Sequence, residues 1–303
     1  MGAKRRGPAT RAASVLLTPL APLFGAFLAY RIYHPPRRRH HRSPADYDLP
    51  ATELVLPLPD RKGSLHLWVC EGDPDRVVVV GHGIGLSKSA SLPHAKFLHE
   101  AGYTVVLFDH RNHGRSSQDA SAFGLSARFT SDVAAVVDHF RGRAAHAGAR
   151  FAVWGFSFST FPILYVPMRG RTPVAAIICD SGPAVDTGPL FRNFLDTGAL
   201  PIPAPFLVGP ARWLVEPVFA GLSAAMVRAR WPPPAERYDG IGLLFLAGER
   251  DAIVPASAVG AVAARYPHAE HRVIPGAEHL QGVKADPDLY QETVLSFLER
   301  NLG

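Results

Sequence analysis

From Ala51 onward, short runs of Val, Ile, Leu and Phe alternate with longer stretches whose apolar residues recur every three to four positions. The short runs suit strands covered on both faces, and the longer period marks amphipathic helices. The first two runs, Thr52–Leu58 and Ser64–Cys70, flank the turn-rich Pro59-Asp60-Arg61-Lys62-Gly63, which predicts a hairpin. Further strands are predicted at Arg76–Val80, Tyr103–Phe108, Phe151–Trp154, Val174–Cys179, Ile241–Ala247 and His271–Ile274. Helices separate them near Ser89–Ala101 and Arg128–Phe140, after Ser157, and near Ala256–Arg265 and Leu289–Arg300. Eight strands alternating with helices predict an α/β domain whose mostly parallel sheet carries helices on both faces. The alternation stops between Gly182 and Tyr238, where prolines are dense and no strand-like run occurs. That stretch, residues 182–238, is read as a helical insertion after the sixth strand.

The N-terminal segment has a different pattern. Between Arg11 and Arg31 lie nineteen uncharged residues, 12–30, about the length needed to cross a hydrocarbon core. Cations flank the run on both sides, with Tyr30 and Tyr33 at its C-terminal edge. It reads as an uncleaved anchor or an interfacial segment held by anionic lipid. A secretory signal and a loosely packed extension are the other readings; against the signal, no clean small-residue cleavage site ends the run. Arg6 stands where a myristoylation motif wants Ser or Thr. We take membrane association as the expectation, with the side of the membrane open and the rest of the chain cytoplasmic. The chain is thus divided into a basic segment, 1–45, and an enzyme-sized domain, 46–303.

The charge changes this picture little. The chain carries 32 Lys and Arg against 26 Asp and Glu, with nine of the cations and no acid in residues 1–42. The remainder holds 23 cations against 26 acids, so it has no positive excess to spread over phosphates, and nucleic-acid binding is not expected. Cys70 and Cys179 cannot build a disulfide framework or a cysteine-rich zinc site, and read as core filling.

Candidate chemistry lies at strand ends. The strand ending at Trp154 runs into Gly155-Phe156-Ser157-Phe158-Ser159 and then a helix-compatible stretch. A tight strand-to-helix turn of this kind raises a serine hydroxyl above the sheet and needs small residues two positions either side. Ser159 replaces the usual second glycine. The loop after the third strand, Gly81-His82-Gly83-Ile84-Gly85, can turn backbone N–H groups toward a bound carbonyl. Its glycine spacing does not fit a dinucleotide fingerprint, and His82 lacks a ligand partner at helical spacing, so no cofactor and no metal are implied. Asp251 follows the seventh strand and His279 the eighth. The order Ser157, Asp251, His279 places all three at carboxyl ends of strands.

With the loop Asp109-His110-Arg111-Asn112-His113-Gly114-Arg115-Ser116 and Gly248-x-x-Asp251 in register as well, residues 52–300 resemble the α/β-hydrolase superfamily. The resemblance is to its serine-hydrolase branch of monoglyceride-lipase-like and proline-aminopeptidase-like enzymes. It implies an α/β-hydrolase fold with a cap, Ser157 as nucleophile, His279 as base and acid, and Asp251 as its orienter. Ile84 and Phe158 would supply the oxyanion N–H donors. Asp180, at the end of the sixth strand, is the alternative acid, and Asp109, His110, Arg111 and His113 would brace loops. An Asp where Ser157 stands would instead mark the epoxide-hydrolase and dehalogenase branches.

The insertion carries Leu190, Phe191, Phe194, Leu195, Phe206, Leu207, Trp213, Leu214, Val218, Phe219, Met226 and Trp231, enough to line a lipophilic pocket or merely to pack the cap. The expected activity is hydrolysis of a lipophilic carboxylic ester through an acyl-enzyme, lipase-, lysophospholipase- or esterase-like. The alternatives are acyl transfer or peptidase action on the same residues, or a membrane-anchored binding protein without catalysis. The sequence sets no oligomeric state.

Overall fold

A computed structural model of the chain describes residues 7–37, 40–198, 200–227 and 229–303. Lys4, Arg5, Arg6, Arg38 and Arg39 of the basic segment lie outside the described residues. The chain opens with two helices, α1 (Pro8–Leu17) and α2 (Ala21–Tyr33). The hairpin follows as β1 (Thr52–Pro57) and β2 (Ser64–Cys70), then β3 (Asp73–Gly81), helix α3 (Leu92–Glu100) and β4 (Tyr103–Phe108). Next come α4 (Leu125–Arg141), β5 (Arg150–Phe156), α5 (Thr160–Leu164) and β6 (Ala176–Asp180). The insertion supplies α6 (Thr187–Asp196) and α7 (Gly209–Val227). The chain closes with β7 (Gly242–Gly248), α8 (Ala256–Ala263), β8 (Glu270–Ile274), α9 (Gly282–Ala285) and α10 (Pro287–Leu302). Helix α5 is shorter than the apolar pattern suggests, because Pro167 has no N–H to continue the ladder.

The eight strands form one sheet in the order β1-β2-β4-β3-β5-β6-β7-β8. Antiparallel pairing joins β1 to β2 and β2 to β4, and every pairing from β4 through β3 to β8 is parallel. Alternation explains why the strands read as continuous apolar runs. Val77, Val79, Phe151 and Val153 pack with α4 and α5 on one face, while Val78, Val80, Ala152 and Trp154 pack with α3 and α10 on the other. The free cysteines follow the same rule, Cys179 in the first cluster and Cys70 in the second.

Chain order reverses at β3, which has β4 on one side and β5 on the other. Loops leaving the carboxyl ends of β3 and β5 therefore diverge and open a crevice, the usual place for a ligand in an open parallel sheet. Above it, α6 and α7 cover the carboxyl end of the sheet with a third apolar cluster. Residues of α2 join that cluster: Ala21, Leu28, Ala29, Ile32 and Tyr33 are buried against Phe191, Val215 and Phe219 of the cap.

Candidate active site

The Gly155–Ser159 turn takes its shape from close backbone approach. A Cβ on Gly155 would lie 2.6 Å from the Ser159 carbonyl, so that position has to be glycine. Ser157 holds φ at +50°, a region costly for a residue with a Cβ and typical of a side chain held out for chemistry. Ser159 fits where glycine is usual because the opposing residue on β3 is Gly81. A Cβ there would overlap Ser159 Oγ, which instead lies 2.8 Å from His110 Nε2.

The three residues that the strand ends present come together. His279 Nε2 lies 3.0 Å from Ser157 Oγ, and His279 Nδ1 lies 2.7 Å from Asp251 Oδ2. A carboxylate only accepts, so Nδ1 carries the proton and Nε2 is left to accept the Ser157 hydroxyl. The other oxygen of buried Asp251, Oδ1, accepts the N–H groups of Ile253 and Val254, both at 2.8 Å, which fixes the carboxylate plane.

Asp180 is not part of this chain. Its carboxylate accepts the hydroxyls of Tyr290 and Ser181, and Ser181 Oγ in turn accepts the Leu280 N–H, so Asp180 braces the loop that carries His279. Burial pushes its carboxyl up to about 6, against the opposing pull of those hydroxyls. Ser181 and Leu280 also hold positive φ, so left-handed backbone recurs on both sides of the site.

Ile84 and Phe158 line the cavity beside Ser157. The loop that carries Ile84 is held by His82, whose Nε2 accepts the His110 N–H, leaving Nδ1 to donate to the Gly83 carbonyl. The Asp109–Ser116 loop braces rather than faces the cavity. Asp109 accepts from the Lys88 N–H and ammonium at 2.8 Å, from the Arg115 N–H and from His40 Nε2 at 3.0 Å. Burial pushes its carboxyl up, but the His40 hydrogen bond and the Lys88 charge outweigh it and hold it well below the usual carboxylate range. Arg111 grips Asp132 with two bonds of 2.6 Å.

The cavity has a volume of about 340 Å³. Leu190, Phe191, Phe194 and Trp231 of the cap line it, whereas Leu195, Phe206, Phe219 and Met226 are buried in the packing of the cap. Among the described residues its lining has one charged group, Asp186, whose exposed carboxylate caps α6 through the Gly188 N–H. Ile32 and Tyr33 form part of the wall, and the sequence reading missed them. Tyr33 is held from behind by Asn112 Nδ2, which donates to its carbonyl, and by its own hydroxyl donating to the Ser223 carbonyl. The signal available was the spacing of small residues Ser14, Ala21 and Gly25 along the apolar run.

These features define an α/β-hydrolase fold with a serine, a histidine and an aspartate assembled above its sheet. The sequence profile of the family described as alpha/beta hydrolase fold matches residues 76–199. No curated protein matches the chain significantly in sequence. Among solved structures, the esterase Pf2001 of Pyrococcus furiosus is similar at 21% identity and a TM-score of 0.71, over 90% of this chain and all of that one. A thermophilic esterase from Thermogutta terrifontis (18% identity, TM-score 0.59) matches 84% of this chain and 100% of its own. A bromoperoxidase from Bacillus anthracis (17% identity, TM-score 0.59) matches 82% and 100%. At these identities the likeness is one of fold, and the fold alone hosts more than one chemistry.

Proposed function

We propose that the protein is a serine hydrolase of carboxylic esters with a lipophilic acyl group, met at a membrane through the N-terminal segment. The observation that carries the reading is His279 bridging Asp251 to Ser157, which lines a mostly apolar cavity. Ser157 Oγ attacks the acyl carbon as His279 Nε2 takes its proton. The backbone N–H groups of Ile84 and Phe158 hold the oxyanion, a term worth about 3–4 kcal/mol per donor in related chemistry. His279 passes the proton to the departing alkoxide, releasing the alcohol and leaving an acyl-serine. Water then attacks that ester, giving its proton to His279, and collapse releases the acid and restores Ser157. The similarity of the fold to two solved esterases supports ester as the substrate class. The scarcity of charge around the cavity supports an apolar acyl group over a charged amine.

A fluorophosphonate probe tests the reading on the full chain and on Ser157→Ala. Labelling of the parent alone, with hydrolysis of 4-nitrophenyl esters that rises with acyl length to medium or long chains, is the expected result. A parent that neither labels nor hydrolyses any ester would leave the non-catalytic binding reading in its place. Turnover confined to acetate would remove the lipophilic part.

A further inference from the structure

The N-terminal helix pair buries one stripe and exposes another. Ser14, Ala21, Gly25, Leu28 and Ile32, spaced by seven, four, three and four residues, are buried. Ser14 Oγ donates to the Val208 carbonyl, and a Cβ on Gly25 would lie 2.9 Å from the Val215 carbonyl, so this stripe faces α7. The opposite stripe, Leu16, Leu20, Leu23, Phe27 and Tyr30, is spaced by four, three, four and three residues and stands in solvent, with Leu16 80% and Leu23 71% exposed. The cap adds Trp213, 76% exposed, and Leu214. Near Trp213 the charges of α6 and α7 pair with one another, Arg212 with Asp196 and Glu216, and Arg192 with Glu216.

Soluble chains rarely leave so many large apolar side chains together in water. The charge flanking the N-terminal stripe is of one sign: Arg11 and Arg31 bracket it, and no acidic residue precedes Asp46 in the sequence. Lipid with anionic headgroups complements both features, apolar face and cationic border. Length and hydropathy also allow residues 8–33 to cross a membrane. The tertiary contacts oppose that. Beyond Tyr33 the chain is fastened to the Asp109–Asp119 loop by His34 Nε2 to the Asp119 carbonyl, Arg37 to the Ser116 carbonyl and His40 to Asp109. A crossing helix would have to leave α7 and take Ile32 and Tyr33 out of the cavity wall.

We propose that the exposed stripe of residues 16–30, together with Trp213 and Leu214, is a monotopic docking surface for an anionic lipid bilayer, on which the chain lies without crossing it. The proposal rests on the membrane reading above and names its geometry. It also gives the cap a second role. Helices α2 and α7 carry the lipid-facing side chains outward and Ile32, Tyr33, Ala224 and Val227 of the cavity wall inward, so one layer of helix separates bilayer from substrate site.

Vesicle flotation of the full chain, with Ser157→Ala beside it, tests this independently of turnover. Both proteins should float with phosphatidylcholine–phosphatidylglycerol vesicles and bind pure phosphatidylcholine about tenfold or more weakly. Leu23→Glu, Phe27→Glu and Trp213→Glu should each weaken flotation by about tenfold or more and leave hydrolysis of a soluble short ester unchanged. Ala9→Cys and Gly303→Cys should both react with an impermeant maleimide from the same side of sealed vesicles, with Cys70 and Cys179 silent because they are buried. Protection of one end alone would establish a span and overturn the proposal. So would absence of vesicle binding with a dimer that Leu23→Glu disperses, which would assign the surface to a second copy. Flotation without any ester hydrolysis would count against the hydrolase reading and leave the docking surface standing.

Discussion

Asp180 ends β6 and Asp251 lies in the loop leaving the neighbouring β7, and their surroundings separate their roles. Asp251 offers one oxygen to His279 and the other to two backbone N–H groups, so Asp251→Asn should keep the fold while presenting the wrong hydrogen-bonding partner to the imidazole. A fall of about 10⁴-fold in kcat is expected from the lost tautomer, read by ester hydrolysis at neutral pH. Asp180→Asn should cost less than about tenfold, because Asp180 makes no hydrogen bond to His279 and reaches its loop through Ser181. Its signature is a stability profile. The folded-state pKa of Asp180 is raised by burial from 3.8 to about 6, so the folded protein holds a proton that the unfolded chain has released. Stability from this group is greatest at low pH and falls as pH rises from 3.8 to about 6, by about 3 kcal/mol at most. Thermal melts of Asp180→Asn should lack that slope, and an unchanged slope would remove Asp180 as its source. Ser159 was legible as a departure from glycine, but its reason was not. The space above Gly81 and the reach of His110 exist only once β3 and β5 are paired.

At the level of elements, the apolar periods located the strands and most helices closely, because burial on two faces leaves a continuous signal in each strand. The N-terminal run was ambiguous for a related reason. A helix apolar all round satisfies a membrane and a protein interface equally well, and only the docking of α2 on α7 distributes its faces. Gly25 is the contact that permits that docking. Gly25→Leu would drive a side chain into the Val215 carbonyl and Val218, so the two helices should separate. We expect a loss of about 1–3 kcal/mol in denaturant unfolding. A larger loss of activity is expected on long-chain than on short-chain esters, since Ile32 and Tyr33 move with the helix. Equal losses on both would show that the N-terminal wall does not contact the acyl chain.

For the whole molecule, one buried carboxylate links the N-terminal segment, the β3 loop and the β4 loop. Asp109 binds His40, Lys88 and Arg115 at once, and its folded-state pKa lies below that of the unfolded chain. Its stabilisation is therefore complete above the ordinary carboxylate range and is lost as pH falls through the depressed folded value. Asp109→Asn leaves the Lys88 ammonium buried without its counter-charge, which should cost about 3–5 kcal/mol at neutral pH and shrink the acid dependence of unfolding. Removal of residues 1–42 is expected to be more disruptive than removal of a tail. It strips His40 from Asp109 and uncovers Val215 and Phe219, so the truncated chain should melt lower and aggregate at lower concentration, as light scattering would record. A truncated chain as stable and soluble as the parent would mean that the segment adds nothing to the core.

Some of this protein is written locally. Strand runs, the small residues around Ser157 and the order Ser157, Asp251, His279 are properties of short stretches of chain, because a tight turn or a two-faced strand restricts residue type where it stands. Other features exist only between distant segments. The choice of Asp251 over Asp180, the pairing of Ser159 with His110, and the split of the cap between cavity wall, packing and surface each depend on which residues the fold brings opposite one another. The N-terminal helices are the clearest case: composition made them apolar, and the groove along α7 decided that one face is protein interior while the other is left for a partner.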